Sequence, residues 1–236
     1  MKKFLFLNLT VICVGLVINS CQKEQDQRVI NDNAEVSKSK KSETISAESL
    51  TNLPDLTIDA GRLLTSIIFR NKVFKSSDCA VSELCVGGTG KRKLLRFDVA
   101  ISNIGIADLI LGDPSDNPLF ELSSCHRHYH FSGFANYELL NINNSIVITG
   151  RKQAFCLLDY SRVDPAAGPA KYTCSNQGIS VGWQDVYGSY LDCQWLDITG
   201  ITAGNYSLRV SINPEGKLAE SNYGNNTATV HVKISK

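Results

Sequence analysis

Charge imbalance is missing from this chain, and long apolar segments are nearly so. Twenty-four Lys plus Arg stand against 23 Asp plus Glu, for a formal net charge of +1. No global field therefore recruits nucleic acid or an anionic membrane, and binding belongs to a local site. The apolar run from Phe4 to Ile18 is too short for a transmembrane helix. No phosphate-cradling glycine loop, nucleophile elbow or CxxC pair occurs, which removes the usual sequence signs of nucleotide binding, esterase-type chemistry and dithiol redox work. Internal repeats are absent, and few segments hold a helical period for three turns. Histidine is scarce as well, with four residues in all.

The start of the chain combines two lysines, the apolar run and the small-residue break Ile18-Asn19-Ser20-Cys21. That is the pattern of an export signal. Its last four residues resemble a bacterial lipobox, in which cleavage before the cysteine is followed by lipidation of that cysteine. Residues 1–20 are expected to be removed, with Cys21 anchoring the protein to the outer membrane through lipid alone, facing the periplasm or the cell surface. The alternative is cleavage of an ordinary secretory signal nearby. Residues 21–52 are rich in Lys, Ser, Glu, Asn and Asp and lack aromatics, so they read as a disordered tether. Residues 53–236 form the expected folded domain, long enough to bury a core.

From Leu53 onward, short alternating or β-branched runs are separated by Gly, Pro, Asn and Asp. Examples are KLLRFDVAISNIG from Lys93, NNSIVITG from Asn143, YSLRVSINPEG from Tyr206 and ATVHVKI from Ala228. Their length and spacing predict a mainly β domain, an antiparallel, immunoglobulin-like β-sandwich with long loops and few short helices. The stretch from Cys156 to Leu191, rich in Gly, Pro, Asp and Tyr, is expected to be a functional or stapled loop. With Cys13 and Cys21 assigned to the signal and the lipid site, Cys79, Cys85, Cys125, Cys156, Cys174 and Cys193 remain. An even count in an exported domain predicts three disulfides, whose pairing is open among fifteen arrangements.

CHRHYH, from Cys125 to His130, puts His126, His128 and His130 on one face of an extended chain. On a straight strand the outer two would be about 13 Å apart, at roughly 3.3 Å of rise per residue. Metal–nitrogen bonds are about 2 Å, so the segment must bend, with Cys125 and Gly133 as plausible sources of the bend. Three neutral imidazoles without clustered thiolates suit copper or zinc and leave coordination positions open. A solvated polar face is the bland reading of the same pattern. His231, isolated in the last strand, reads as a surface or structural residue.

CHRHYHFSGFANYELLN from Cys125 resembles the copper-binding region of lysyl oxidases, and GRKQAFCLLD from Gly150 and DVYGSYLDCQWLDIT from Asp185 match that family in order. Weaker matches extend the resemblance over residues 53–234. It implies that His126, His128 and His130 bind copper and that Lys152 and Tyr187 become a lysine tyrosylquinone. The implied reaction is oxidative deamination of primary amines, either protein lysines or small amines, by dioxygen, giving aldehyde, ammonia and hydrogen peroxide. It needs a carboxylate base. Asp185, in the matching DxYG stretch, is the candidate, with Asp159 and Asp192 as competitors. Asp55, Leu56, Glu220, Asn222, Asn225 and Asn226 match calcium-binding positions of animal relatives, and their oxygens suit that ion. Asn222 stands where relatives carry Asp. An Asn-rich turn is the bland reading.

The sequence also departs from the family. The tryptophan-rich, histidine-containing approach to the copper motif is replaced by Phe120-Glu121-Leu122-Ser123-Ser124. The resemblance implies the disulfides Cys79–Cys85 and Cys125–Cys174. The usual partners of Cys156 and Cys193 are missing, Trp183 standing in the place of one, and the inference drawn from that loss is a Cys156–Cys193 bridge. Two readings from other classes compete with the oxidase. The opening PDL and the closing INPEGKLAESNYGNNTATV also resemble immunoglobulin-like bacterial adhesion modules, which would bind without catalysis. The histidines alone would also serve a zinc hydrolase.

Overall fold

Alternation sets the longest strands. In Thr227–Ile234, Ala228, Val230, Val232 and Ile234 are buried while His231 and the other intervening residues face solvent, as a half-buried strand requires. The computed structural model describes residues 52–150 and 156–236. The export signal, Cys21, most of the tether and Lys152 lie outside the described residues.

In chain order the strands are β1 (Leu56–Ile58), β2 (Ile68–Phe74), β3 (Gly90–Arg96), β4 (Val99–Asn103), β5 (Leu109–Gly112), β6 (Phe120–Leu122), β7 (Tyr129–Phe131), β8 (Ala135–Leu140), β9 (Ile146–Thr149), β10 (Ser161–Arg162), β11 (Gln177–Ile179), β12 (Trp183–Tyr187), β13 (Trp195–Asp197), β14 (Gly204–Ile212) and β15 (Thr227–Ile234). Among the described residues two short helices, α1 (Ala60–Thr65) and α2 (Cys79–Ser82), interrupt them. Asp59 caps α1 by accepting the Arg62 amide at 2.9 Å, the usual role of Asp at that position.

The fold is mainly β, with antiparallel pairing. One sheet runs β15-β14-β8-β9 and another β1-β4-β12-β10. Their apolar faces meet in one core that includes Leu56, Ile101, Leu139, Leu208, Val210 and Val230. A third sheet, β13-β3-β2, carries a satellite cluster of Phe74, Leu94 and Trp195. β4 is buried along its whole length, so its polar Asn103 must find partners inside. Its amide donates to the carbonyls of Ala107 and Ile179 at 2.9 Å each, and its carbonyl accepts from Asp55 and Gly105. A Cβ on Gly105 would lie 2.5 Å from the Asp55 nitrogen, so only glycine permits this crossing.

The three disulfides are Cys79–Cys125, Cys85–Cys193 and Cys156–Cys174, with Cα separations of 5.8, 5.3 and 5.4 Å, inside the bridging range. The expected pairs Cys79–Cys85, Cys125–Cys174 and Cys156–Cys193 are all corrected. Cys79 begins α2 and reaches the histidine turn, whereas Cys85, beyond the helix, turns into the Phe74–Trp195 cluster and meets Cys193 there. Cys156 and Cys174 close the loop between them, a separation of 18.

Candidate metal centre and its cavity

The histidine segment is not a straight strand. Ser124 to His126 form a turn, and β7 begins only at Tyr129. The bend lies at Arg127, whose φ of +58° is a left-handed conformation uncommon for a residue with a side chain. Gly133, with φ +77°, turns the chain only after β7. Ser123 holds the bend together: its carbonyl accepts the Arg127 amide at 2.8 Å, its own amide donates to the His128 carbonyl at 3.0 Å, and its hydroxyl accepts the His126 amide at 3.1 Å. Beneath, Phe120 and Phe131 pack edge to face at 5.4 Å, anchoring the β6–β7 hairpin in the core.

The bend gathers the rings. Their centroids lie 4.6 Å apart for His128 and His130, 5.5 Å for His126 and His130, and 5.8 Å for His126 and His128. The Nε2 atoms of His128 and His130 are 2.9 Å apart. Two nitrogens each about 2 Å from one ion, at a right angle, would be about 2.8 Å apart, so the pair fits a shared metal as well as it fits a hydrogen bond. The Nδ1 of His128 lies 3.1 Å from the His126 carbonyl; a hydrogen bond from that nitrogen leaves Nε2 with its lone pair. His130 is buried and His128 is exposed, so the group sits at the edge of the protein.

Sequence reasoning missed one neighbour, Glu83. Its carboxylate lies 3.1 Å from His126 Nε2 and accepts the Ser123 hydroxyl at 2.6 Å. No spacing motif joins residues 83 and 126, and only the fold brings them together. Glu83, Cys85 and Cys193 also place potential ligand atoms close together, but those two sulfurs form a disulfide and offer no thiolate.

The histidines open on a cavity of about 430 Å³ that also contains Tyr187, Asp185 and Asp192. Tyr187 ends β12. Its hydroxyl donates to the Asp185 carboxylate and toward the Cys156 carbonyl, the latter at 2.8 Å. Burial raises the Tyr187 hydroxyl well above the usual phenol range and pushes Asp185 up to about 7. The bond from Tyr187 and the Val186 amide pull Asp185 back only in part. Asp159 is spent elsewhere, accepting the Lys171, Tyr172 and Ser180 amides and the Ser180 hydroxyl. Asp192 is half exposed and pairs with Lys72 at 3.4 Å. Tyr190 stands at the mouth, leaning over Gly188 so closely that a Cβ there would fall 2.1 Å from its ring.

At the β1 end, the Glu220 carboxylate accepts the Leu56 amide at 2.8 Å and the Asn213 and Asn226 side-chain amides at 2.6 and 2.8 Å. Asp55 accepts from Asn225 at 2.7 Å. The side-chain oxygens Oδ1 of Asn225 and Asn226 are buried without a partner among the described residues. Burial raises the Glu220 carboxyl above its ordinary range. Asn222 instead accepts the Gly224 amide within its own turn.

A family model described as lysyl oxidase matches residues 54–236. Over 194 residues the chain is 35% identical to protein-lysine 6-oxidase of Homo sapiens, covering 78% of this chain and 46% of that protein. It is 37% identical to lysyl oxidase homolog 3A of Danio rerio and 35% identical to lysyl oxidase homolog 4 of Homo sapiens. Those matches cover 76% and 75% of this chain but 25% and 24% of the relatives. The chain therefore spans less than half the length of these relatives.

Proposed function

Because the chain belongs to the lysyl oxidase family, we propose that it is a copper-dependent amine oxidase, converting primary amines to aldehydes with release of ammonia and hydrogen peroxide. The observation that carries this reading is that residues distant in sequence line one cavity, His126, His128 and His130 together with Tyr187 and Asp185. The imidazole set fits copper by ligand type, and the 2.9 Å nitrogen pair is compatible with two ligands of one ion. Lys152, outside the described residues, enters through the family resemblance, four residues before the Cys156 whose carbonyl accepts the Tyr187 hydroxyl. Copper and the quinone would together supply an electrophilic two-electron acceptor that dioxygen regenerates.

The protein's own residues would do the rest. Asp185 holds the Tyr187 ring through its hydroxyl. With a pKa near neutrality, its carboxylate is suited to take the proton from the substrate carbon beside the nitrogen. Asp159, saturated with donors, acts structurally. Leu158, Val186 and Leu191 wall the cavity and limit the water that reaches that proton. Calcium would be held by Asp55, Glu220 and the side-chain oxygens Oδ1 of Asn225 and Asn226, oxygen donors of the kind this ion takes; it would tie β1 to the turn before β15. Lipidation at Cys21 would keep the enzyme in the bacterial envelope, where lysines of neighbouring envelope proteins and small primary amines are within reach.

Phenylhydrazine labelling of the copper-loaded full chain tests the reading. A labelled crosslink between the Lys152 and Tyr187 peptides is expected, and it should vanish in Tyr187→Phe. Fully copper-loaded protein without a crosslink would rule out the cofactor assignment. An adhesion module would show neither label nor amine turnover. A rise in melting temperature with millimolar calcium is expected for the second site, and no shift removes calcium from the account.

A further inference from the structure

The segment between Cys79 and Cys85 has no part in the chemistry so far, yet it delivers a carboxylate to the metal centre. α2 ends in a hydrogen-bonded reversal: the Leu84 amide donates to Val81, the Cys85 amide donates to Ala80 at 2.8 Å, and Leu84 has φ +61°. This is the Schellman pattern, with a leucine where glycine is usual. The corner is then fastened at both ends. Cys79 is bonded to Cys125, the residue before His126, and Cys85 is bonded to Cys193. Glu83 lies between these two covalent ties, with its side chain only 9% exposed.

Its two oxygens address the same turn from two sides. One accepts the Ser123 hydroxyl at 2.6 Å, and the other lies 3.1 Å from His126 Nε2. The Ser123 hydroxyl in turn accepts the His126 amide at 3.1 Å, so carboxylate, serine and histidine close a ring that sets both the backbone and the imidazole of His126. A carboxylate accepting the second ring N–H of a metal-binding histidine fixes the ring's orientation and leaves its other nitrogen for the ion.

We propose that Glu83 is the positioning residue of the copper centre, orienting His126 through its Nε2 while Ser123 orients Glu83. The proposal rests on the copper reading of the three histidines. It gives the two disulfides a part in the site: they hold the helix corner at the distance from which Glu83 reaches His126. It also separates the three ligands, because His128 is oriented by the His126 carbonyl whereas His126 depends on a side chain 43 residues away.

The test is Cu(II) binding by the full chain, measured by chelator competition together with the electron paramagnetic resonance spectrum. Glu83→Gln keeps the size and loses the charge. It is expected to weaken copper binding about 10–100-fold and to alter the spectrum, while the melting temperature of the copper-free protein stays close to wild type. Ser123→Ala, which leaves Glu83 in place, is expected to weaken binding less, in the same direction. Wild-type affinity and spectrum in Glu83→Gln would overturn the proposal and leave the copper reading intact. So would a loss that tracks unfolding of the copper-free protein while Ser123→Ala binds normally. Wild-type protein whose copper shows no histidine nitrogens would overturn both.

Discussion

The β14–β15 pair and the β6–β7 hairpin represent two ways of holding a strand. β14 and β15 run in register from Gly204 opposite Ile234 to Ser211 opposite Thr227 without a shift. On them Leu208, Val210, Val230 and Val232 face the core, and each such side chain contributes about 1.5–3 kcal/mol by burial. β6 and β7 pair over only three residues. Their connecting turn carries a left-handed Arg127, a disulfide at Cys125 and a ring of polar bonds through Ser123. A continuous backbone ladder and the burial of its inner face stabilise the long pair. The short one keeps two buried anchors, Phe120 and Phe131, and fixes its turn with a covalent tie and polar contacts, so that it can present three imidazoles at a solvent-facing edge, where a long hydrophobic strand would have no room for them.

Substitutions can separate the two regions. The largest effect is expected from His128→Ala: amine oxidation falls to background and copper retention is lost. Because His128 is exposed, the melting temperature of the copper-free protein should barely move; a collapsed fold would show that the hairpin does depend on that ring. Asp185→Asn comes next, slowing turnover about 10²–10⁴-fold if the carboxylate takes the substrate proton. The same variant tests stability. Folded Asp185 keeps a proton up to about pH 7, whereas the unfolded chain releases it near pH 4. The stability linked to that proton is complete below pH 4 and is lost as pH rises toward 7. Asp185→Asn should therefore be more stable than wild type at pH 8, by up to about 4 kcal/mol, with little gain at pH 4. Denaturation at the two pH values checks this.

In the long pair, Leu208→Ala should cost about 2–5 kcal/mol of stability while the folded fraction retains wild-type copper affinity. A large loss of affinity would mean that the sheet and the hairpin are coupled. The smallest effect is expected for His231→Ala on the exposed face of β15: a change within about 0.5 kcal/mol and unaltered copper binding. A measurable loss of copper there would break the division of labour among the four histidines.

Much of this was legible beforehand because it is local. Alternation in ATVHVKI placed β15 and exposed His231, and the run from Tyr206 placed β14; the single run from Lys93 divides into β3 and β4, which belong to different sheets. The need for a bend between His126 and His130 followed from strand rise and bond length. Its position did not follow, since Arg127 gives no sign in sequence that it adopts a positive φ. The cysteine pairing differs from the one that the resemblance and the missing partners implied, because neither carries the direction in which each cysteine leaves its turn. Cys79 and Cys85 are six positions apart, yet the reversal after α2 points them at different partners.

The amino-acid order by itself determined the β character, the even cysteine count, the three imidazoles on alternate positions and the family motifs, because each depends on residue type and short-range spacing. Tertiary structure decided which groups meet. Glu83 faces His126 across 43 positions. Tyr187 shares one hydroxyl between Asp185 and the Cys156 carbonyl, and Asp159 is closed off by four donors while Asp185 faces the cavity. Hydrogen bonds and desolvation act over a few ångströms in space, and chain separation carries almost no information about that distance until the sheets have packed.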